Sequence, residues 1–201
     1  YNMGFLRGFL AIFFGIILVP VASAVMFIIS QGSTYLSELL NAMYAVDLTK
    51  LMQMFTMPVN FDLTGTTYPF SELMGLGIPL FTIGTANGPG LIEALGAASL
   101  SQFVIYNAWK AVVWTAVGFF VGAIMSKAVK GLLIALGIWI AWFVWNVLFV
   151  WILLPIISGI PTFVSILTYN IVPFLLCSII PLIILIVAGA IGGAVTRSEE
   201  F

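Results

Sequence analysis

The sequence predicts an all-α, polytopic integral membrane protein. It has about four transmembrane helices and a long extracytoplasmic segment between the first and second. Three observations carry this. Of 201 residues, 63% are hydrophobic and only 6% charged, against about half and about a quarter in soluble domains. A soluble chain of this length could not hide so much apolar surface or cover its exterior with charge. Charge-free apolar runs of spanning length recur along the chain. The basic residues gather near the ends of those runs.

The first run lies between Arg7 and Glu38, where there is no charge. About 20 apolar residues cross a bilayer core, so residues 5–30 are assigned as the first transmembrane helix. Arg7 followed by an apolar stretch and Ala22-Ser23-Ala24 also fits a cleavable signal peptide; we read a retained helix. Residues 32–102 differ in character and hold five of the seven acidic residues. Leu36, Leu39, Leu40 and Met43 have the spacing of an amphipathic helix, and Leu48, Leu51, Met52 and Phe55 repeat it. Pro58, Asn60, Asp62, Gly65 and Pro69 mark loop. Residues 73–92 carry no charge but are broken by Gly75, Gly77, Pro79, Gly84, Gly88, Pro89 and Gly90. Irregular backbone facing lipid is too costly, so this stretch must be covered by protein or line a cavity. Asn87 or Gly88 can cap a short helix with Pro89 in its first turn and Leu91, Ala94, Leu95 and Ala98 on one face.

Residues 103–126 form the second expected span, with Lys110 about two turns from its outer end. Lys127 and Lys130 make a short basic loop. From Gly131 to Thr196 there is no charge. That run suits two helices, 132–154 and a fourth with its core at 173–195, broken around Pro155, Gly159 and Pro161. Tyr169 and Asn170 are expected in an outer-interface turn. The whole chain, 1–201, is read as one membrane domain without internal repeats. Placing the termini inside puts Arg7, Lys127, Lys130 and Arg197 in the cytoplasm, with Lys50 and Lys110 toward the other side. The positive-inside rule favours that orientation.

Composition also removes functions. There is no histidine, the commonest general base and the usual ligand of haem, copper and catalytic zinc. Cys177 stands alone and can build neither an internal disulfide nor a thiolate metal site. Glu38, Asp47, Asp62, Glu72 and Glu93 are scattered without a paired-carboxylate or calcium-loop spacing. A net charge of −1 offers no basic patch for nucleic acid. No catalytic, cofactor or metal residues are therefore assigned, and the chain is not expected to be an enzyme.

What remains is packing and a few polar groups. Small residues form stripes at steps of three and four: Gly4, Gly8, Ala11 and Gly15 in the first helix; Ala111, Thr115, Gly118, Gly122 and Ser126 in the second; Gly189 and Gly193 in the fourth. Such stripes let helix backbones approach closely, within the chain or against another subunit. Lys110 is the one charge inside an expected span; its expected place is the outer interface, snorkelling or paired with a carboxylate such as Glu93. Asn146 shares a face with Ala135, Trp139 and Trp142 and suits an interhelical hydrogen bond. Trp109 and Trp151 suit an aromatic belt. Thr82-Ile83-Gly84-Thr85-Ala86-Asn87-Gly88 resembles in part the Thr-Val-Gly-Tyr-Gly filter of potassium channels. It lacks the aromatic residue, and two further helices follow it, so no family is assigned. The expected function is a non-catalytic subunit of a larger membrane assembly, partnered by the lipid bilayer and by other membrane subunits or copies of itself. The alternative is a channel or transporter whose path passes Lys110, Asn146 and residues 73–90.

Overall fold

A computed structural model describes residues 2–31, 33–47, 76–81, 89–96, 99–145, 148 and 163–196. Among these residues there is no strand. The described helices are α1 (Asn2–Gln31), α2 (Ser33–Tyr44), α3 (Leu91–Gly96), α4 (Leu100–Met125), α5 (Ala128–Trp145) and α6 (Phe163–Val195). Three stretches are long and apolar enough to cross a membrane: Phe5–Met26, Leu100–Met125 and Leu175–Val195. A shorter apolar helix covers Ala128–Val144.

α4 is the centre of the bundle. It packs most extensively on α6 and also against α1 and α5, and α5 in turn lies on α6. The sequence of α4 explains its position. Asn107, Lys110, Val113, Trp114, Val117, Gly118, Val121, Gly122 and Met125 are buried. They follow one another at steps of one and three, the pattern of a single helical face. The opposite face carries exposed Ile105, Val112, Phe119 and Phe120. A helix apolar all round belongs in lipid or deep in a core. Here the outward face carries large apolar groups, and the inner face combines Trp114 and three valines with the two glycines and the polar Asn107 and Lys110. α1 is built the same way. Ala11, Gly15, Val19 and Ser23, each four residues apart, are buried, while Phe5, Phe9, Phe13 and Phe14 are exposed.

Chain direction can be read from contacts. Ser126 and Lys127 alone link α4 to α5, so the two helices run antiparallel. Thr196, just past α6, donates its hydroxyl to the Ala123 carbonyl at 3.1 Å. Gly8 lies next to Ile134, and Gly15 next to Ile138 and Val121. The start of α1, the Lys127–Lys130 turn and the end of α6 therefore share one end of the bundle.

Several expectations need correction. Tyr169 and Asn170 lie within α6, not in a turn. α6 runs through Pro173 and Pro181, the second already inside the expected 173–195 core; a membrane helix can do so when neighbours satisfy the freed carbonyls. The short helix expected from residue 89 begins instead at Leu91, and Leu95 is 67% exposed, not on the buried face with Ala94. α4 begins three residues ahead of the expected 103. The amphipathic repeat at 48–55, the filter-like stretch 82–88, Asn146, Trp151, the break near Pro155 and Arg197 lie outside the described residues.

α2 ends in a Schellman pattern, with Asp47 N–H donating to Ala42 O at 3.0 Å and Val46 N–H to Met43 O at 3.2 Å. The C′ residue is Val46, at φ 53°, a position that favours glycine and penalises a β-branched side chain. Val46 is also 72% exposed, so little packing is lost on trimming it. Val46→Gly is expected to raise stability by about 1 kcal/mol, read as a higher thermal midpoint in detergent.

Candidate functional site

Residues 76–80 form a non-helical strap against the inner faces of α4 and α6. Leu76, Gly77, Ile78 and Pro79 are all buried. In a bilayer, main-chain groups have no water to bond, so each needs a partner within the protein. The Leu76 carbonyl accepts Trp114 Nε1–H at 2.9 Å. The Gly77 carbonyl accepts the Lys110 ammonium at 3.0 Å. Ile78 N–H donates to the Cys177 carbonyl at 3.0 Å, and the Pro79 and Leu80 carbonyls accept the N–H groups of Leu91 and Ile92, both at 3.1 Å. Polar groups of α3, α4 and α6 thus take up the strap residue by residue.

The α6 end of this arrangement has a cause in the sequence. In a helix the Cys177 carbonyl would accept the N–H of residue 181, but Pro181 has none. The carbonyl is free, and Ile78 fills it. The next carbonyl, Ser178, accepts Trp139 Nε1–H at 3.3 Å. One proline thereby creates a docking point for the strap and lies beside the attachment of α5.

The α4 end is a triplet, Asn107, Lys110 and Trp114, at steps of three and four. Asn107 donates its side-chain N–H to Phe103 O at 3.0 Å and accepts Lys110 at 3.3 Å. The ammonium also lies 5.9 Å from the Trp109 ring centre. Lys110 is only 4% exposed, which overturns the expectation that it snorkels to the interface. Carbonyl oxygens receive it in place of a carboxylate, because the strap brings the Gly77 carbonyl to the ammonium. Trp114 is fully buried and meets Trp142 edge-on at 5.1 Å between ring centres. Side-chain hydrogen bonds between helices contribute about 0.6 kcal/mol in a membrane, up to about 1.7, and the bonds from α4 to the strap are of the same kind.

At the other end of the bundle, glycines let α4, α5 and α6 touch backbone to backbone. A Cβ on Gly118 would stand 2.6 Å from the Leu185 carbonyl oxygen, and one on Gly193 would stand 2.5 Å from that of Lys127. Gly122 and Gly131 both abut the Gly189 carbonyl, and Gly192 abuts that of Phe119. The structure thus brings Gly118, Gly122, Gly189 and Gly193 together, and Ala11 and Gly15 face inward from α1. Ala111 is half-buried, while Thr115 is exposed and bonds its own helix at Ala111 O, 2.7 Å away. Ser126 caps α4 in the left-handed region. Glu93 is exposed in the first turn of α3.

Asn107, Trp114, Gly131 and Gly192 were not among the residues singled out from sequence. The i, i+3 and i+7 spacing of Asn107, Lys110 and Trp114 could have flagged the first two. Nothing local flags the Leu76 and Gly77 carbonyls as their targets. Among the described residues, no cluster of three or more His, Cys, Asp or Glu could hold a metal ion.

The fold and site define a class: among the described residues, a helical fold with three helices of membrane-spanning length and apolarity, packed against a buried strap. No protein-family model, characterised protein or solved structure matches the chain.

Proposed function

We propose that the chain is a non-catalytic integral membrane subunit that packs into a larger membrane assembly, as an accessory subunit of a complex or a membrane component of a virion or secretion system. One observation carries the reading. Four of the buried side chains with polar groups, Ser23, Asn107, Lys110 and Trp114, point at main-chain carbonyls. Their capacity goes into holding backbone, which is what a packing element needs and an active site does not. α5 is taken as the further span, giving four crossings. Both termini are then cytoplasmic with Arg7, Lys127 and Lys130, which share one end of the bundle, on the inside. The exposed apolar rows on α1, α4 and α6 face lipid and neighbouring subunits.

Purification in mild detergent followed by mass determination tests this. The expected result is a mass above the 21.8 kDa of one chain, with co-purifying subunits or further copies. A stable monomer with no partner would overturn it.

The second reading is a channel or transporter. The observation that favours it is a non-helical strap beside an intramembrane lysine, the kind of feature that lines transport paths. Flux in reconstituted vesicles, compared between the native chain and Lys110→Ala and Asn146→Leu variants, separates the two. An absence of flux for every ion and small solute tried ends this reading.

A further inference from the structure

We infer that residues 76–80 are a latch: a strap held in the bundle by hydrogen bonds, whose release uncovers Lys110 and Cys177 while the helices stay folded. This rests on the bilayer reading above but not on the assembly reading.

The strap has apolar side chains, Leu76 and Ile78, buried between helices. In water their burial would dominate. Beside lipid it counts for little, because acyl chains are as apolar as leucine. Its attachment therefore falls on close packing, on the bonds from Lys110, Trp114 and α3, and on the bond to the Cys177 carbonyl. The helices are held differently. α4, α5 and α6 meet at glycines whose neighbours are main-chain atoms, and their own backbone bonds do not involve the strap. Segments without regular secondary structure, held by few bonds, are those that open without global unfolding. The proline at 181 adds specificity, since it leaves on α6 an acceptor that only an outside N–H can fill.

The chain supplies its own reporter. Cys177 is its single cysteine; it is buried, and its carbonyl is the strap's docking point. The experiment measures the rate at which N-ethylmaleimide labels Cys177 in the full chain, in detergent and in liposomes, with tryptophan fluorescence followed in parallel.

The native chain should label slowly but to completion, with its fluorescence unchanged before modification. Lys110→Met removes one clamp. Pro181→Ala returns an N–H to the Cys177 carbonyl, so the strap loses its acceptor while the helix gains a bond. Both should label about three- to tenfold faster, the change in open population that one lost membrane hydrogen bond produces. The proline variant keeps the test decisive if the lysine variant does not fold. Native labelling as fast as in denaturing detergent would overturn the latch. So would labelling that only tracks unfolding, or folded variants that label at the native rate. A monomeric mass would remove the assembly reading and leave these rates untouched.

Discussion

Replacing Gly122 with alanine is expected to break the contact between α4 and α6 and to cost about 3 kcal/mol or more, at or beyond the top of the usual range for overpacking. Overpacking is ordinarily relieved when a side chain rotates. At Gly122 that relief is missing. The added methyl would overlap the Gly189 carbonyl and stand 2.8 Å from the Gly193 nitrogen, and both are backbone. A helix must move, and Gly131 of α5 abuts the same Gly189 carbonyl, so the displacement reaches all three helices. The same substitution at Gly137 is the control. There an added Cβ meets nothing within 4 Å. Alanine in mid-helix should then stabilise by about 0.5–1 kcal/mol, through its lower backbone entropy cost. Thermal unfolding followed by circular dichroism in one detergent reads both. Equal shifts at the two positions would show that the close approach at Gly122 does not hold the bundle.

The second large effect is expected at Trp114. It has 0% exposure and heads the fully buried side chains by volume. Trp114→Ala removes its packing, its edge-on pairing with Trp142 and the donor to the Leu76 carbonyl. Truncations of this size cost about 3–5 kcal/mol. An orphaned carbonyl adds to that, since no water replaces the lost donor. Trp114→Phe separates the contributions. Phenylalanine keeps an aromatic ring in the cavity but not the N–H, and the loss should fall to about 1–2 kcal/mol. The alanine variant should also lower the yield of folded protein. If the two variants were equally destabilised, the hydrogen bond to the strap would outweigh the packing of the ring.

Composition and the charge-free runs pointed to helices of spanning length, because a bilayer imposes length and apolarity on any helix that crosses it. They did not locate the start of α6. The expected core began at Pro173, with a turn near Tyr169 and Asn170, whereas α6 already runs from Phe163. The small-residue stripes were visible as spacing, but spacing does not name the partner. Gly118, Gly122, Gly189 and Gly193 meet one another within the chain, and that leaves less of the small-residue surface for neighbouring subunits. Lys110 was conspicuous as the lone charge of its span. Its partner was not legible, because a main-chain carbonyl looks the same at every residue.

By itself, then, the sequence determined the solvent and the element type. Apolar content and missing charge select lipid, and lipid selects closed backbone hydrogen bonding, which helices satisfy alone. Only the tertiary structure decided which polar groups answer one another. That required Leu76 and Gly77 to come within 3.0 Å of donors 38 and 33 residues away, and Ile78 to reach the carbonyl that Pro181 leaves open. Such pairings depend on the position of backbone atoms in three dimensions, and residue identity along the chain does not encode that position locally.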